Sequence, residues 1–281
     1  MWLASTAKRQ RQGPALITRI GEEGVDTGSP RITEEAKDLL RGNERIDDLQ
    51  RSGLRIIQDP KGNRFSTDAV LLSSYCRAKR SDRVVDLGTG TGILPLLVWA
   101  KWHPKSIIGL ELDVPTADMA GRSVKLNGLD GNIRIISGNL KDAASLLGKA
   151  SCTLAVSNPP YIKHGGGLKG ESGTRALARH EIGCTFEDVA KAASELLVPA
   201  GRFALVHRPD RLADIMCSLR SWGLEPKGMR TVHTKASEPP VLVLVTSIKG
   251  ASPGLKIGPS LVIYGEDGKY TEETDRIYYG E

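Results

Sequence analysis

Cysteine is scarce in this chain, and long apolar runs are missing altogether. The four cysteines, Cys76, Cys152, Cys184 and Cys217, stand far apart, with no Cys-x-x-Cys and no paired histidine. That pattern argues against zinc and against a disulfide framework, and leaves most of them as core thiols. No apolar stretch reaches the roughly 20 residues of a membrane-spanning helix, and the N-terminus is too polar for a secretory signal. Acids are absent from the first twenty residues, which carry Lys8, Arg9, Arg11 and Arg19. A mitochondrial presequence has such charges, but helical amphipathicity is poor here and Gly13-Pro14 interrupts it. The expectation is a flexible arm over residues 1–43 that touches RNA, on a cytoplasmic protein with no metal and no membrane contact. No internal repeat is visible.

What is present begins with length and charge. The 281 residues allow one large α/β domain with extensions and a substantial core. Formal net charge is +6, unevenly spread: residues 44–249 hold 29 basic against 21 acidic groups, while both flanks are near neutral or acidic. A basic middle suits a polyanionic substrate, although a solvated basic surface has the same composition.

Apolar runs and helical stretches alternate. Strands are expected near 83–87, 107–111, 133–136, 153–157 and 202–206, with helices over 67–77, 93–100, 114–127, 186–197 and 209–222. This predicts a doubly wound α/β sheet. The last two apolar runs, 229–233 and 241–246, have no helix between them and are expected to pair antiparallel at the sheet's edge.

Two motifs sit on this frame. Val84 to Leu87 leads into Gly88-Thr89-Gly90-Thr91-Gly92 at a strand-to-helix turn, where such sheets bind nucleotides. Alternate glycines let the backbone approach a ligand closely, and the helix N-terminus beyond them offers N–H groups to an anion such as a carboxylate. Asp86 is placed to meet a cationic or donor group. Glu111 ends the next strand, about 20 residues on, where an acid grips ribose hydroxyls. NAD and S-adenosylmethionine (SAM) both satisfy this. The Gly-x-Gly-x-Gly spacing, unlike Gly-x-Gly-x-x-Gly, favours SAM.

The second motif, Asn158-Pro159-Pro160-Tyr161, closes the run 154–157. An exocyclic amine on a base has its lone pair delocalised into the ring, and two acceptors aimed at its two hydrogens draw the nitrogen towards tetrahedral geometry. The Asn158 side-chain oxygen and the Pro159 carbonyl are such acceptors. The prolines fix φ and hold that carbonyl rigid, and Tyr161 supplies a flat face for stacking. On its own, Asn-Pro-Pro is also an ordinary strand-ending turn. Between Tyr161 and Ala178 a glycine-rich basic segment follows, with Lys163, Lys169 and Arg175 available to phosphates, and Arg179 close behind.

With these residues in place, the chain resembles the class I SAM-dependent methyltransferases, and more narrowly the bacterial tRNA1(Val) adenine-N6 methyltransferases. Carrying the narrower resemblance are the segments 44–49, 53–58, 64–72 and 178–181 and the tail 259–264 with Tyr270-Thr271. It implies a Rossmann-like, doubly wound seven-stranded sheet whose last strand is antiparallel. The methyltransferase domain would span 44–249, with 250–281 as a tail packed on it. It further implies that Phe65, Thr67 and Asp68 close over the methionine end of SAM. Asp86, Gly88, Thr89, Gly90, Gly92 and Glu111 would bind the cofactor. Asn139 and Leu140 stand where the family more often has an Asp-hydrophobe pair beside the adenine; an Asn there donates to the purine ring but accepts more weakly than a carboxylate. The implied activity is methylation of the N6 of the adenosine 3′ of the anticodon, with the anticodon stem-loop of tRNA as partner. A glutamine N5-methyltransferase of release factors, a ribosomal RNA base methyltransferase and a non-catalytic RNA-binding protein are the competing readings.

Overall fold

Alternating apolar and amphipathic segments place this chain's strands edge to edge and its helices on both faces of the resulting sheet. The computed structural model describes residues 18–19, 33–60, 67–160 and 184–280. Strands β1 (Thr18–Arg19), β2 (Arg45–Asp48) and β3 (Arg55–Gln58) form a small antiparallel sheet, with helix α1 (Glu34–Lys37) between the first two in sequence. There follow α2 (Thr67–Tyr75), β4 (Arg83–Leu87), α3 (Ile93–Trp102), β5 (Ser106–Glu111), α4 (Val114–Leu126), β6 (Ile133–Ser137), α5 (Ala143–Leu147) and β7 (Cys152–Ser157). The second half holds α6 (Phe186–Leu196), β8 (Leu197–His207), α7 (Leu212–Ser221), β9 (Leu224–His233), β10 (Pro240–Lys249), β11 (Lys256–Ile257), β12 (Leu261–Val262) and α8 (Glu272–Tyr279).

The seven expected strands lie in the order β9-β10-β8-β7-β4-β5-β6, with β10 antiparallel to both of its neighbours. Two short strands, β11 and β12, add parallel to β9 on its outer side and bring the sheet to nine. Two-residue strands carry no periodicity, so neither could be foreseen. Other differences lie at element ends. Helix α2 stops at Tyr75 because Arg77 adopts φ 44° and turns the chain. The last long helix opens as a 3-10 turn over Pro209–Arg211 before α7 begins.

Side chains alternate between two cores, as strand geometry requires. Val84, Leu154, Val156, Ala204 and Leu244 join residues of α2, α3 and α4. Val85, Ala155, Phe203, Leu205 and Val245 join those of α5, α6 and α7. Helix α6 starts at a reciprocal capping box, in which Asp188 N–H donates to Thr185 Oγ1 (3.2 Å) and Thr185 N–H donates to Asp188 Oδ2 (2.8 Å). Cys76 and Cys152 are buried, and burial pushes both thiols up to about 12. No described helix is long and apolar enough to cross a membrane.

Residues 33–44 and helix α8 are both fastened to this body. Residues 33–44 lie against α4, where Arg122 grips both Glu44 carboxylate oxygens at 2.6 and 2.8 Å. At the other end, Lys101 Nζ donates to the carbonyls of Ile277 (2.9 Å) and Val70 (3.2 Å), tying α8 to α2. Tyr264, Tyr270 and Tyr278 stack in succession, with centroids 5.2 and 5.0 Å apart.

Candidate active site

Strand β4 has β5 on one side and β7 on the other. The chain therefore reverses its direction of travel across the sheet at β4, and a crevice opens beyond the carboxyl ends of these strands. Both motifs fall there. Asp86 pairs with Val156 across β4 and β7, so two residues further on Gly88 and Asn158 leave the sheet side by side. Ser157 fixes the juxtaposition, its buried Oγ donating to the Leu87 carbonyl at 2.8 Å.

The glycine loop has backbone reasons for its composition. Gly88, Gly90 and Gly92 have φ of 78°, 55° and 83°, a region side chains rarely enter. The N–H groups of Gly88 and Thr89 both donate to the Leu110 carbonyl at 3.0 Å, binding the loop to the end of β5. Gly90 N–H donates to Glu111 Oε2 at 2.8 Å, and Asp113 N–H to Glu111 Oε1 at 2.9 Å. Glu111 is thus buried and held at both oxygens. Gly92 precedes α3 without a side-chain cap, at the end of the glycine loop.

Beneath the loop lies Asp86, 1 % exposed. Burial pushes its carboxyl up to about 7, and the charge of Glu111 adds to the effect. The Thr89 hydroxyl tempers it from nearby, outside hydrogen-bond geometry: Asp86 Oδ2 and Thr89 Oγ1 are both buried without a hydrogen-bond partner among the described residues. A buried, under-satisfied carboxylate at this point is a costly arrangement that a cationic or donor group would relieve. Thr89 reaches its place only because residue 109 is glycine; a Cβ there would come within 2.8 Å of Thr89 Oγ1.

The remaining expected residues separate into those placed and those not. Asn158 is half-buried, Pro159 buried and Pro160 exposed. Thr67 and Asp68 begin α2. Asn139 caps a short 3-10 turn, its Oδ1 accepting from Lys141 N–H at 3.0 Å, which leaves the amide N–H groups as its free chemistry; Leu140 packs against the second core. Phe65, Tyr161, Lys163, Lys169, Arg175 and Arg179 lie outside the described residues. Sequence reasoning passed over Ser157 and His207. The latter ends β8 two residues beyond the partner of Ser157, packs edge-on against Phe186 at 5.9 Å, and is held below the usual histidine value by burial. Its position at a strand's carboxyl end was the available signal.

Comparison with known proteins agrees with this geometry. The sequence profile of the methyltransferase small domain family matches residues 64–212. The tRNA1(Val) (adenine(37)-N6)-methyltransferase of Porphyromonas gingivalis is 30% identical over 223 residues, covering 76% of this chain and 86% of that protein. Its namesake in Bacteroides fragilis is 30% identical over 183 residues, covering 65% and 76%. Among solved structures, a predicted O-methyltransferase from Agrobacterium tumefaciens superposes with a TM-score of 0.61 at 24% identity over 76% of this chain and 96% of its own, a likeness of fold. The chain belongs to the methyltransferase small domain family, and with its Asn-Pro-Pro beside a Gly-x-Gly-x-Gly loop it stands among the bacterial tRNA1(Val) (adenine(37)-N6)-methyltransferases.

Proposed function

We propose that this protein transfers a methyl group from SAM to the exocyclic N6 of an adenosine in tRNA, at position 37 of tRNA1(Val), in the cytoplasm. The observation that carries the reading is the lateral pairing of Asn158 with the glycine loop, fixed by Asp86 opposite Val156 and by the Ser157–Leu87 hydrogen bond. Bound SAM would supply a methyl already electrophilic on its sulfonium and leave as the neutral thioether when the S–C bond breaks; the displaced N6 proton goes late to water, so no side chain needs to act as a strong base.

The protein's own groups hold and orient. Glu111, at the end of β5, accepts from ribose hydroxyls, and the α3 N-terminus receives a carboxylate. Asp86 and Thr89 answer a cationic or donor group with their buried oxygens. Asn139 donates to the purine through its amide. At the acceptor side, the Asn158 oxygen and the Pro159 carbonyl take the two amine hydrogens, and Tyr161 stacks on the base. The target nucleotide is unstacked from a single-stranded loop, which costs less than opening a duplex. Residues 44–249 form the catalytic domain, 250–281 a tail on it, and Lys163, Lys169, Arg175 and Arg179 meet phosphates.

The test is transfer of labelled methyl from SAM to total tRNA from a strain lacking the protein, followed by nucleoside digestion and mass spectrometry. N6-methyladenosine is expected, and Asn158→Ala should abolish transfer while SAM binding by calorimetry stays nearly intact. Label in protein or ribosomal RNA instead, or full activity in the variant, would overturn the assignment.

A further inference from the structure

The β9 side of the sheet, lateral to β7, carries a cleft that methyl transfer does not use. It measures about 490 Å³ and lies between the C-terminal half of α2, strands β9 and β10, and β11. Its lining brings together Tyr75, Arg77, Gly228, Arg230, Lys256 and Glu273. Glu273 is the one carboxylate among the described lining residues, and it is already engaged. It grips the Arg230 guanidinium at 2.7 and 3.0 Å while Arg230 Nε donates to the Pro259 carbonyl at 2.7 Å. Arg77 and Lys256 are exposed at the mouth and form no ion pair among the described residues.

The loop that supplies Arg77 continues with Lys79 and Arg80, both exposed and likewise without an ion pair among the described residues. Its backbone, by contrast, is held. Arg202 Nη1 donates to the carbonyls of Cys76 (3.2 Å) and Arg77 (3.1 Å), Lys79 N–H donates to Asp82 Oδ2 at 2.6 Å, and Ala78 is buried. Arg77 itself takes a left-handed φ of 44°, a conformation that costs an L residue with a side chain free energy and persists only when its surroundings impose it. Asp82, the loop's single acid, is 5 % exposed and engaged by Arg202. A solvated surface interleaves its charges; here the acids are consumed inside and the cations alone face out from a rigid loop.

We infer that the Arg77–Arg80 loop and the adjoining cleft with Lys256 form a second RNA-backbone surface, which takes phosphodiester groups of the tRNA substrate between the amino end of β4 and the β9 edge of the sheet. Charge complementarity selects the partner: phosphate contacts position a nucleic acid without reading its sequence. The loop enters β4 at Arg83 and the glycine loop leaves it at Gly88, so the two surfaces are separated by about 15 Å of strand. A stem whose loop reaches the crevice passes this patch. The inference rests on the RNA reading given above, and direct binding separates the two.

The decisive variant is Arg77→Gln/Lys79→Gln/Arg80→Gln, measured beside a charge-conserving control, Arg77→Lys/Lys79→Arg/Arg80→Lys. Affinity for tRNA is measured as a function of salt by fluorescence anisotropy, together with the KM for tRNA, kcat and the calorimetric SAM affinity. Each phosphate contact contributes about 0.7–0.9 to the slope of log affinity against log salt, so three lost contacts should shallow it by about 2 to 3 and weaken binding at least tenfold near 0.1 M salt. KM for tRNA should rise in step while kcat at saturating tRNA and SAM affinity hold, and the control should retain the wild-type slope. An unchanged slope and KM in the Gln variant, or the same loss in the control, would overturn the inference. Wild-type protein that binds tRNA with this slope but transfers no methyl would sink the proposed reaction and leave the surface standing.

Discussion

Replacing Asp86 by asparagine should make the protein more stable at neutral pH and worse at binding SAM. Asp86 is 1 % exposed, and burial, helped by the charge of Glu111, raises its carboxyl from the ordinary 3.8 to about 7. At about 1.4 kcal/mol per tenfold change in proton affinity, that rise corresponds to a cost on the order of 4 kcal/mol when the group is ionised. Over the window from 3.8 to about 7 the native state binds a proton that the unfolded chain has released. Stability contributed by this group is therefore full below the lower value and is lost as pH rises through the upper one. The asparagine amide of the variant does not titrate. The difference in unfolding free energy between variant and wild type should thus grow in the variant's favour as pH rises from about 4 to 8, by up to roughly 4 kcal/mol. Urea denaturation at fixed pH values across that window reads the difference directly, provided the m-values match. A difference that stays constant with pH would refute the reasoning. Calorimetry should show weaker SAM binding in the same variant, since the carboxylate that burdens the fold is the one that answers a cationic group. Opposed effects on stability and binding are the expected mark of strain kept for function.

Four further outcomes follow from named contacts. Ser157→Ala leaves the buried Leu87 carbonyl without its partner; a loss of about 1–3 kcal/mol in chemical denaturation is expected, with a larger fall in kcat/KM than in stability would suggest. Gly109→Ala drives a Cβ to within 2.8 Å of Thr89 Oγ1 and 2.9 Å of Ile135 Cδ1, an overpacking expected to cost about 1–3 kcal/mol and to weaken SAM binding through the displaced loop. Burial, with Arg51 nearby, lowers Lys101 to about 7. Between about 7 and its ordinary 10.5 the unfolded chain holds the extra proton, so stability should climb with pH across that range, and Lys101→Met should flatten the climb. Arg122→Ala removes two hydrogen bonds to Glu44; thermal melts should fall, and limited proteolysis should release residues N-terminal to 45 first.

The sequence discloses what local periodicity and turn chemistry encode. Val84 to Leu87 and Leu154 to Ser157 are runs whose apolar continuity matches strands buried on both faces, and both strands end where those runs end. Glycines at 88, 90 and 92 announce positive φ because other residues are strained there. The missed features depend on partners far away in sequence. Ser157 reaches Leu87 across 70 residues, and Arg122 reaches Glu44 across 78; neither pair has a local signature. Strands β2 and β3 are four residues each with mixed polarity, too short for alternation to show. Asn139 carries a second, local signal: asparagine before Leu140-Lys141-Asp142 is a turn-capping pattern, and its oxygen accepts from Lys141 N–H while the amide N–H groups remain donors.

Register explains why two motifs so far apart in sequence make one site. In a parallel pair each residue has a fixed neighbour, and a slip of one position sends every side chain to the opposite face. Asp86 stands opposite Val156, which puts Asp86 within the crevice wall and keeps Val84, Leu154 and Val156 in one core and Val85, Leu87 and Ala155 in the other. Shifting β7 by one residue would take Ser157 away from the Leu87 carbonyl, drive Leu154 and Val156 into the core packed around Ala155 and carry Asn158 off the glycine loop together. The misfit of that slip, at about 1–3 kcal/mol for each side chain forced into a core shaped for another, summed along the strand exceeds the single hydrogen bond that Ser157 contributes. The core therefore sets the register, and Ser157 fixes the end of the strand so that Asn158 leaves the sheet beside Gly88. Ser157→Ala should then leave the strand pairing intact, with unchanged amide protection along β7 in hydrogen exchange, and lose protection only at residues 87–92 and 158; loss of protection throughout β7 would show that the hydrogen bond, and not the core, holds the register.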